Sequence, residues 1–194
     1  MKLDKHTNYI VSGLERSGTS MLMQIIHNGG IPTKFDDSRP ADEANPKGYY
    51  ELAGGKIINH LMNGTFPFET FKGSFIKITC YGLKFLPPGR YKIVYSERNI
   101  EEILHSMEKM ARITDEKRHE TKETFQRLNA MIKNLISQRD DCGVLYVNYN
   151  TILKNPMDEI KKIVDFLLVS DADIDAMIRT IDEKLYRQRH MPKI

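Results

Sequence analysis

Residues 13–20 read Gly-Leu-Glu-Arg-Ser-Gly-Thr-Ser, a stretch in which four residues separate two glycines. An apolar run, Tyr9-Ile10-Val11, precedes it, and an amphipathic segment that begins at Met21 follows it. We therefore predict a strand, a glycine turn and the first turn of a helix. In this arrangement consecutive backbone N–H groups point into one concavity at the positive end of a helix dipole, where phosphate- or sulfate-like anions bind.

The glycine spacing in this stretch is that of a nucleotide-binding P-loop, with one departure. A lysine normally follows the second glycine and reaches the terminal phosphates of a nucleoside triphosphate. Here Thr19 follows Gly18, and the positive charge lies inside the loop as Arg16. The sequence therefore disfavours hydrolysis of ATP or GTP and favours the binding of a differently shaped anion.

The length and composition indicate an ordinary globular domain. The chain has 194 residues, of which 40% are hydrophobic and 28% charged, so we expect one domain over residues 1–194. The formal net charge is +3, and basic residues are interleaved with acidic ones, so no nucleic-acid partner is expected. No stretch is long and apolar enough for a membrane span. No set of His, Cys or carboxylate side chains has the spacing of a metal site.

Short apolar runs alternate with amphipathic segments along the rest of the chain. We predict strands over 75–79, 91–96 and 144–149, and helices over 56–62, 100–111 and 117–139, from Pro156 onward, and from 170–173 through Leu185. Strands separated by helices pair in parallel. The predicted fold is therefore three-layer α/β, with a parallel sheet of about four to five strands flanked by helices, as in P-loop NTPases.

A second anion-binding position is predicted at Arg98 and Ser106. Arg98 follows a predicted strand where a helix begins, and Ser106 follows eight residues later, about two helical turns further on. A guanidinium can bind two phosphate oxygens at once and stays charged. Taken alone, the pair is better explained as an exposed arginine and a serine on a polar helix face, and only the glycine loop at residues 13–20 favours the anion-binding interpretation.

Together these segments resemble sulfotransferases that use 3′-phosphoadenosine-5′-phosphosulfate (PAPS), over residues 8–168 and in the same order. The resemblance is to small bacterial or cytosolic-type members. Arg98 and Ser106 match the pair that grips the 3′-phosphate, although Ile100 stands where the family often has proline. The resemblance implies PAPS as the co-substrate without a metal. It also implies that the family's 5′-phosphosulfate loop is formed here by Arg16, Ser17, Gly18, Thr19 and Ser20.

The resemblance implies two further cofactor contacts. Tyr149 matches a family tyrosine that contacts the adenine, and a tyrosine packed in the core at a strand end is the equal alternative. Asn150 stands where the family usually has an acidic residue. Arg187 belongs to a charged tail that could fold over the 3′-phosphate, and an exposed basic tail is the alternative.

The family's reaction implies transfer of a sulfuryl group to an acceptor hydroxyl or amine, with Arg16, Lys77 and Glu51 as catalytic residues. Lys77 resembles a lysine near the transferring group in cytosolic members, which place a histidine two residues later as the general base. Here that position is Thr79. Other branches use a glutamate after the first helix, which favours Glu51 as the base. The alternatives are a surface role for Glu51 and a base at Asp36, Asp37 or His60.

Three other functions are open. The chain could be a non-catalytic PAPS- or PAP-binding protein, because the family histidine is absent. It could be a P-loop nucleotide kinase, which the missing lysine disfavours, or a structural protein, which the ordered recurrence of both anion sites disfavours.

The acceptor is expected to be a small molecule or a glycan, recognised by residues 30–74. Aromatic residues in that segment permit a sugar, a phenol or a lipid headgroup without choosing among them: Phe35, Tyr49, Tyr50, Phe66, Phe68 and Phe71. Most Golgi sulfotransferases carry a membrane anchor that the sequence does not show, so we expect a cytoplasmic enzyme.

Overall fold

A four-stranded, fully parallel sheet forms the centre of the computed structural model, which describes residues 2–182. The strands lie in the order β2-β1-β3-β4, and their bounds are Asn8–Gly13 for β1, Phe75–Lys77 for β2, Tyr91–Glu97 for β3 and Cys142–Asn148 for β4. In β1, Ile10 lies opposite Ile76 of β2 and Ile93 of β3. β1 is therefore a central strand, paired with β2 on one side and with β3 on the other.

Helices cover both faces of this sheet, as the predicted three-layer fold requires. Their bounds are Thr19–Asn28 for α1, Ile57–Met62 for α2, Phe68–Phe71 for α3, Ile100–Ala111 for α4, Arg118–Ser137 for α5, Tyr149–Lys154 for α6, Pro156–Leu167 for α7 and Ile174–Thr180 for α8. Successive side chains of a strand point to opposite faces. Accordingly Tyr9 and Val11 pack in one apolar core with α1, α7 and α8, whereas Ile10 packs in a second core with α2, α4 and α5.

Most predicted elements are confirmed, and the differences have local causes. The fourth strand ends at Asn148, because the Asn148 side chain accepts hydrogen bonds from the N–H groups of Asn150 and Thr151 and so caps α6. Tyr149 consequently begins a helix instead of ending the strand. The last helix is capped by Asp173, which accepts from the N–H of Ala176, and it ends at Thr180. The prediction is therefore wrong at residues 181 and 182, and the rest of the predicted extension through Leu185 lies outside the described residues.

The strand order places the functional segments at one edge of the sheet. In open α/β sheets ligands bind beyond the carboxyl ends of the strands, where the strand order reverses. Here the chain leaves β1 towards β2 on one side, and β3 lies on the other side. The residues that follow these carboxyl ends include Arg16 after β1, Thr79 after β2, Arg98 after β3 and Tyr149 after β4. Within residues 2–182, no helix has the length and apolar character needed to cross a bilayer.

The opposite edge of the sheet is held by a compact polar cluster. Arg139 donates to both oxygens of Asp141, at 2.8 and 2.7 Å, and to the carbonyl oxygens of Leu86 and Pro87. Asp141 also accepts from the N–H of Gly89 at 3.0 Å. Hydrogen bonding by the Arg139 guanidinium holds the pKa of Asp141 well below its ordinary value. The cluster joins the turn before β3 to the start of β4.

We predict that Asp141→Asn lowers the free energy of unfolding by about 1 kcal/mol at pH 7, because a partly exposed ion pair is lost. A carboxyl whose pKa is depressed by folding stabilises the protein above its ordinary pKa, and this stabilisation is lost as the pH falls below that value. Urea unfolding at pH 7 and pH 3 should therefore show a smaller pH effect in Asp141→Asn than in the wild type. Equal pH effects in the two proteins would contradict this role of Asp141.

Candidate active site

A cavity of about 860 Å³ opens at the carboxyl edge of the sheet. This volume lies within the range of small-molecule sites. The lining includes the loop between β1 and α1, the segment from Arg39 to Asn59, the second half of α4, Tyr149 at the start of α6, and the residues Lys77, Thr79 and Arg98 at or after the carboxyl ends of β2 and β3. The cavity therefore contains both of the predicted anion-binding positions.

The loop between β1 and α1 has backbone conformations that favour glycine. Gly13 has φ +147°, and a Cβ there would lie 2.6 Å from both Ser17 Oγ and the carbonyl oxygen of Ser96. Gly18 has φ +108° and stands immediately before α1. The Ser96 hydroxyl donates to the carbonyl oxygen of Ser17 at 2.8 Å, which ties the loop to β3. The loop is thus formed as the sequence predicts, with the N-terminus of α1 at its end.

Tyr149 packs directly on this loop. A Cβ at Gly18 would lie 2.3 Å from Cδ2 of the Tyr149 ring. The guanidinium carbon of Arg98 lies 4.3 Å from the centre of the same ring, within cation–π range. Burial raises the pKa of Tyr149 above its ordinary value. The ring therefore joins the β1–α1 loop to the arginine that follows β3.

Arg98 is buried and held by several contacts. Its Nε donates to Glu102 Oε2 at 2.9 Å, and its Nη1 donates to the carbonyl oxygen of Arg16 at 3.1 Å. The second oxygen of Glu102 accepts from Asn150 Nδ2 at 3.2 Å. Asn150, which replaces the family's usual acidic residue, therefore makes a hydrogen bond to a carboxylate supplied by α4.

The side chain of Arg16 connects the loop to α4. Its Nε donates to Ser106 Oγ at 3.0 Å, and its Nη2 donates to the carbonyl oxygen of Ala44 at 3.2 Å. Arg16 has φ +63°, a conformation uncommon for a non-glycine residue. The two predicted anion positions, one in the loop and one at Arg98 and Ser106, are thus in direct contact.

Lys77 and Glu51 form a buried ion pair at the other end of the cavity. Lys77 Nζ lies 2.8 Å from Glu51 Oε1 and donates to Ser20 Oγ at 3.1 Å. The other oxygen of Glu51 accepts from Arg39 Nη1 at 3.2 Å, and the Arg39 guanidinium stacks 3.5 Å from the centre of the Tyr49 ring. Burial lowers the pKa of Lys77, and the charge of Glu51 opposes this effect.

The other predicted base candidates lie outside the residues that line the cavity. Asp36 accepts from the Ser38 side chain, which is the main cause of its lowered pKa, and from the N–H of Ala53. His60 is exposed and contacts Thr65. Asp37 is also exposed. Arg187, a predicted cofactor contact, lies outside the described residues.

The predicted acceptor aromatics mostly pack elsewhere. Phe35 and Tyr50 contact each other, and Phe66 contacts both Phe68 and Phe71. Among the described residues, Tyr49 is the one member of this aromatic set that lines the cavity. Polar side chains that the sequence did not single out lie there instead, namely Arg39, Asp42, Lys56, Asn59, Lys109 and Arg112. Because they come from separate segments, no spacing pattern identified them.

Comparison with known proteins agrees with this arrangement. A family model described as the sulfotransferase domain matches residues 6–192. The chain belongs to the sulfotransferase family. A search of curated protein sequences found no match. The predicted resemblance to sulfotransferases is therefore confirmed at the level of the family.

Solved structures similar to this family member share its fold. Retinol dehydratase in complex with androsterone and the inactive cofactor PAP has 17% identity and a TM-score of 0.55, and the match covers 95% of this chain and 66% of that one. A mouse sulfotransferase complexed with PAP has 16% identity, a TM-score of 0.55 and the same coverage. A sulfotransferase from Mycobacterium tuberculosis has 15% identity and a TM-score of 0.58, with 88% and 70% covered. The chain thus spans about two thirds of the length of these structures.

Side chains of the types that bind metal ions do not cluster in the described part of the chain. Within residues 2–182, no group of three or more His, Cys, Asp or Glu side chains has a metal-binding arrangement. The charged groups of the cavity are instead joined to one another, as in the pair of Lys77 with Glu51.

We predict that Gly18→Ala destabilises the protein by about 2–4 kcal/mol, because the methyl group meets the Tyr149 ring and the backbone conformation is unfavourable for alanine. Gly30→Ala is the matched control, since Gly30 also has positive φ, +76°, but has open space around its Cβ position. We expect the control substitution to lower the free energy of unfolding by about 1–2 kcal/mol. Urea unfolding measures both. Equal losses would show that Tyr149 does not pack on the loop as described.

Proposed function

We propose that this family member transfers the sulfuryl group of PAPS to an acceptor hydroxyl or amine on a small molecule or glycan. The observation that carries the proposal is the presence, in one cavity, of the loop, the pair Arg98 and Ser106, and the buried ion pair of Lys77 with Glu51. Two anion-binding positions suit a nucleotide with phosphate groups at both ends of its ribose. PAP in two of the similar structures supports this choice.

In this proposal the cofactor lies along the contacts between the loop and α4. The N–H groups of the loop and the hydroxyls of Ser17, Thr19 and Ser20 bind the 5′-phosphosulfate at the positive end of α1. Arg98 and Ser106 bind the 3′-phosphate. Tyr149 packs between Gly18 and Arg98. In the proposal its ring also contacts the adenine. The chain would supply these groups already ordered by their mutual hydrogen bonds.

The proposed reaction is an in-line displacement at sulfur. The acceptor oxygen or nitrogen forms a bond to sulfur, the bond from sulfur to the bridging oxygen breaks, and PAP leaves with the electron pair of that bond. Lys77 and Arg16 stabilise the negative charge that develops on the bridging oxygen. The proton of the acceptor passes to Glu51. Atoms and charge therefore balance without a further reactant.

Glu51 is the proposed base because it is a carboxylate in the cavity beside Lys77 and Ser20. Its Oε1 is paired with the buried Lys77, and its Oε2 is paired with Arg39, whose side chain is 38% exposed. The acceptor hydroxyl would take the place of Arg39 at Oε2, because the more exposed partner moves at lower cost. Glu51 then lies within hydrogen-bond reach of the proton it removes.

A second candidate function is non-catalytic binding of PAP or PAPS. The observation that favours it is Thr79, which lines the cavity where cytosolic members have their histidine base. In this alternative the nucleotide binds as proposed and no acceptor is sulfated. A P-loop kinase remains disfavoured, because Thr19 occupies the position of the lysine that reaches the terminal phosphates.

We predict that calorimetry detects PAP binding that is tighter than 5′-AMP binding, because only PAP reaches Arg98 and Ser106. Arg98→Lys should weaken PAP binding about 10- to 150-fold, since lysine cannot reproduce the paired contacts of a guanidinium. Its affinity for 5′-AMP should change little. A preference for ATP with Mg²⁺ over PAP would overturn the proposal.

We predict that Glu51→Gln lowers turnover at least about 100-fold while PAP affinity is retained, because the amide cannot accept the proton. The measurement is transfer of labelled sulfate from PAPS across a panel of sugars, phenols and amines. Asp37→Asn, which neutralises an exposed carboxylate outside the cavity, is the matched control and should leave turnover unchanged. Normal turnover in Glu51→Gln would remove Glu51 as the base. PAP binding without any transfer by the wild type would favour the non-catalytic alternative.

A further inference from the structure

We infer that Lys109 and Arg112, at the C-terminal end of α4, are additional binding residues for the 3′-phosphate end of the nucleotide. The inference rests on the proposed function, because it requires a nucleotide with a 3′-phosphate. Neither residue belongs to the spacing of Arg98 and Ser106 from which the anion position was predicted. Three properties of the structure support it: position, charge and backbone conformation.

The position of both residues follows from the geometry of α4. Residues three or four apart lie on the same side of a helix, so Lys109 follows Ser106 on the cavity side one turn later. Arg112 is the C-cap residue that follows Ala111, the last residue of α4. All three line the cavity, together with Arg16, which donates to Ser106. Two cations therefore stand at the rim beside the proposed 3′-phosphate position.

The charge balance of that position requires more cations than Arg98. Arg98 and Glu102 form an ion pair at 2.9 Å with side chains only 7% and 2% exposed, so together they contribute no net charge. A phosphate monoester carries close to two negative charges at neutral pH. Arg16, which donates to Ser106, supplies one positive charge that it shares with the bridging oxygen at the 5′ end. Lys109 and Arg112 would supply the remainder.

Neither cation has a strong partner among the described residues. Arg112 Nη2 lies 3.8 Å from Glu43 Oε2, and the two side chains are 85% and 95% exposed. An ion pair this exposed contributes little to stability. No hydrogen bond or ion pair of residues 2–182 involves the Lys109 ammonium group. Both side chains are therefore available to an incoming phosphate.

The backbone of Arg112 has a conformation that suits glycine better. Its φ and ψ are 56° and 39°, the left-handed conformation in which helices commonly end with glycine. An L-residue in this conformation is strained, and strained residues cluster at ligand-binding positions. An arginine here is thus unfavourable for the fold. Its side chain at the rim of the cavity gives a functional reason for its presence.

Leu168 provides a matched control within the same chain. It ends α7 with φ 60° and ψ 42°, nearly the values of Arg112, and its side chain is 84% exposed. It does not line the cavity. Replacing either residue by glycine relieves the same backbone strain, but only one replacement removes a cation from the cavity.

The experiment compares Arg112→Gly with Leu168→Gly in thermal unfolding and in calorimetric binding of PAP and 5′-AMP. Both variants should raise the Tm by about 2–4 °C. Arg112→Gly should weaken PAP binding about tenfold and leave 5′-AMP binding unchanged, whereas Leu168→Gly should bind both nucleotides as the wild type does. Lys109→Ala should also weaken PAP binding selectively, and Arg112→Asn, which tolerates the left-handed conformation, should repeat the effect of Arg112→Gly.

The outcomes separate this inference from the proposed function. If the wild type prefers PAP to 5′-AMP but Arg112→Gly and Lys109→Ala bind PAP normally, the inference is overturned and the proposed function stands. An equal loss for PAP and 5′-AMP also overturns it, because the cations would then not serve the 3′-phosphate. If the wild type shows no preference for PAP, the proposed function itself fails.

Discussion

Parallel pairing of β1 with β2 and β3 is the constraint on which the rest of the structure depends. Parallel strands bring all their carboxyl ends to one edge of the sheet. Residues far apart in sequence therefore come close together there because the strands pair, and not because their side chains attract one another. Arg16, Thr79, Arg98 and Tyr149 are brought to the same edge in this way. The strand order thus sets the location of the cavity, and the side chains set its chemistry.

Buried charges then determine the internal order of the cavity. A buried ionised group is costly unless it is paired and hydrogen-bonded. Arg98 meets this requirement through Glu102 and the carbonyl oxygen of Arg16, and Lys77 meets it through Glu51 and Ser20. These pairs fix the side chains in place. Because these pairs neutralise the buried cations, an anionic ligand would depend more on the exposed cations at the rim of the cavity, Lys109 and Arg112.

Much of the fold could be predicted because the signals are local. The bounds of α4 and the start of α7 at Pro156 follow from apolar spacing and from proline chemistry, and both agree with the structure. A predicted bound was wrong where a side-chain hydrogen bond caps a helix. Asn148 caps α6 and so takes Tyr149 out of β4. Such capping depends on hydrogen bonds that periodicity does not contain.

By itself, the sequence determined the β1–α1 loop and the α/β class, because each follows from a short-range pattern of glycines and apolar residues. The pairing of Arg98 with Ser106 as an anion position, which follows from helical spacing, stays a prediction. Only the tertiary structure decided that Glu51 meets Lys77, that Arg16 reaches Ser106 and that Arg39 covers Tyr49. In the tertiary structure most of the predicted aromatic residues also lie outside the cavity lining. The physical reason is that these contacts join residues 10 to 90 positions apart in sequence and depend on loop conformation, which local spacing does not specify.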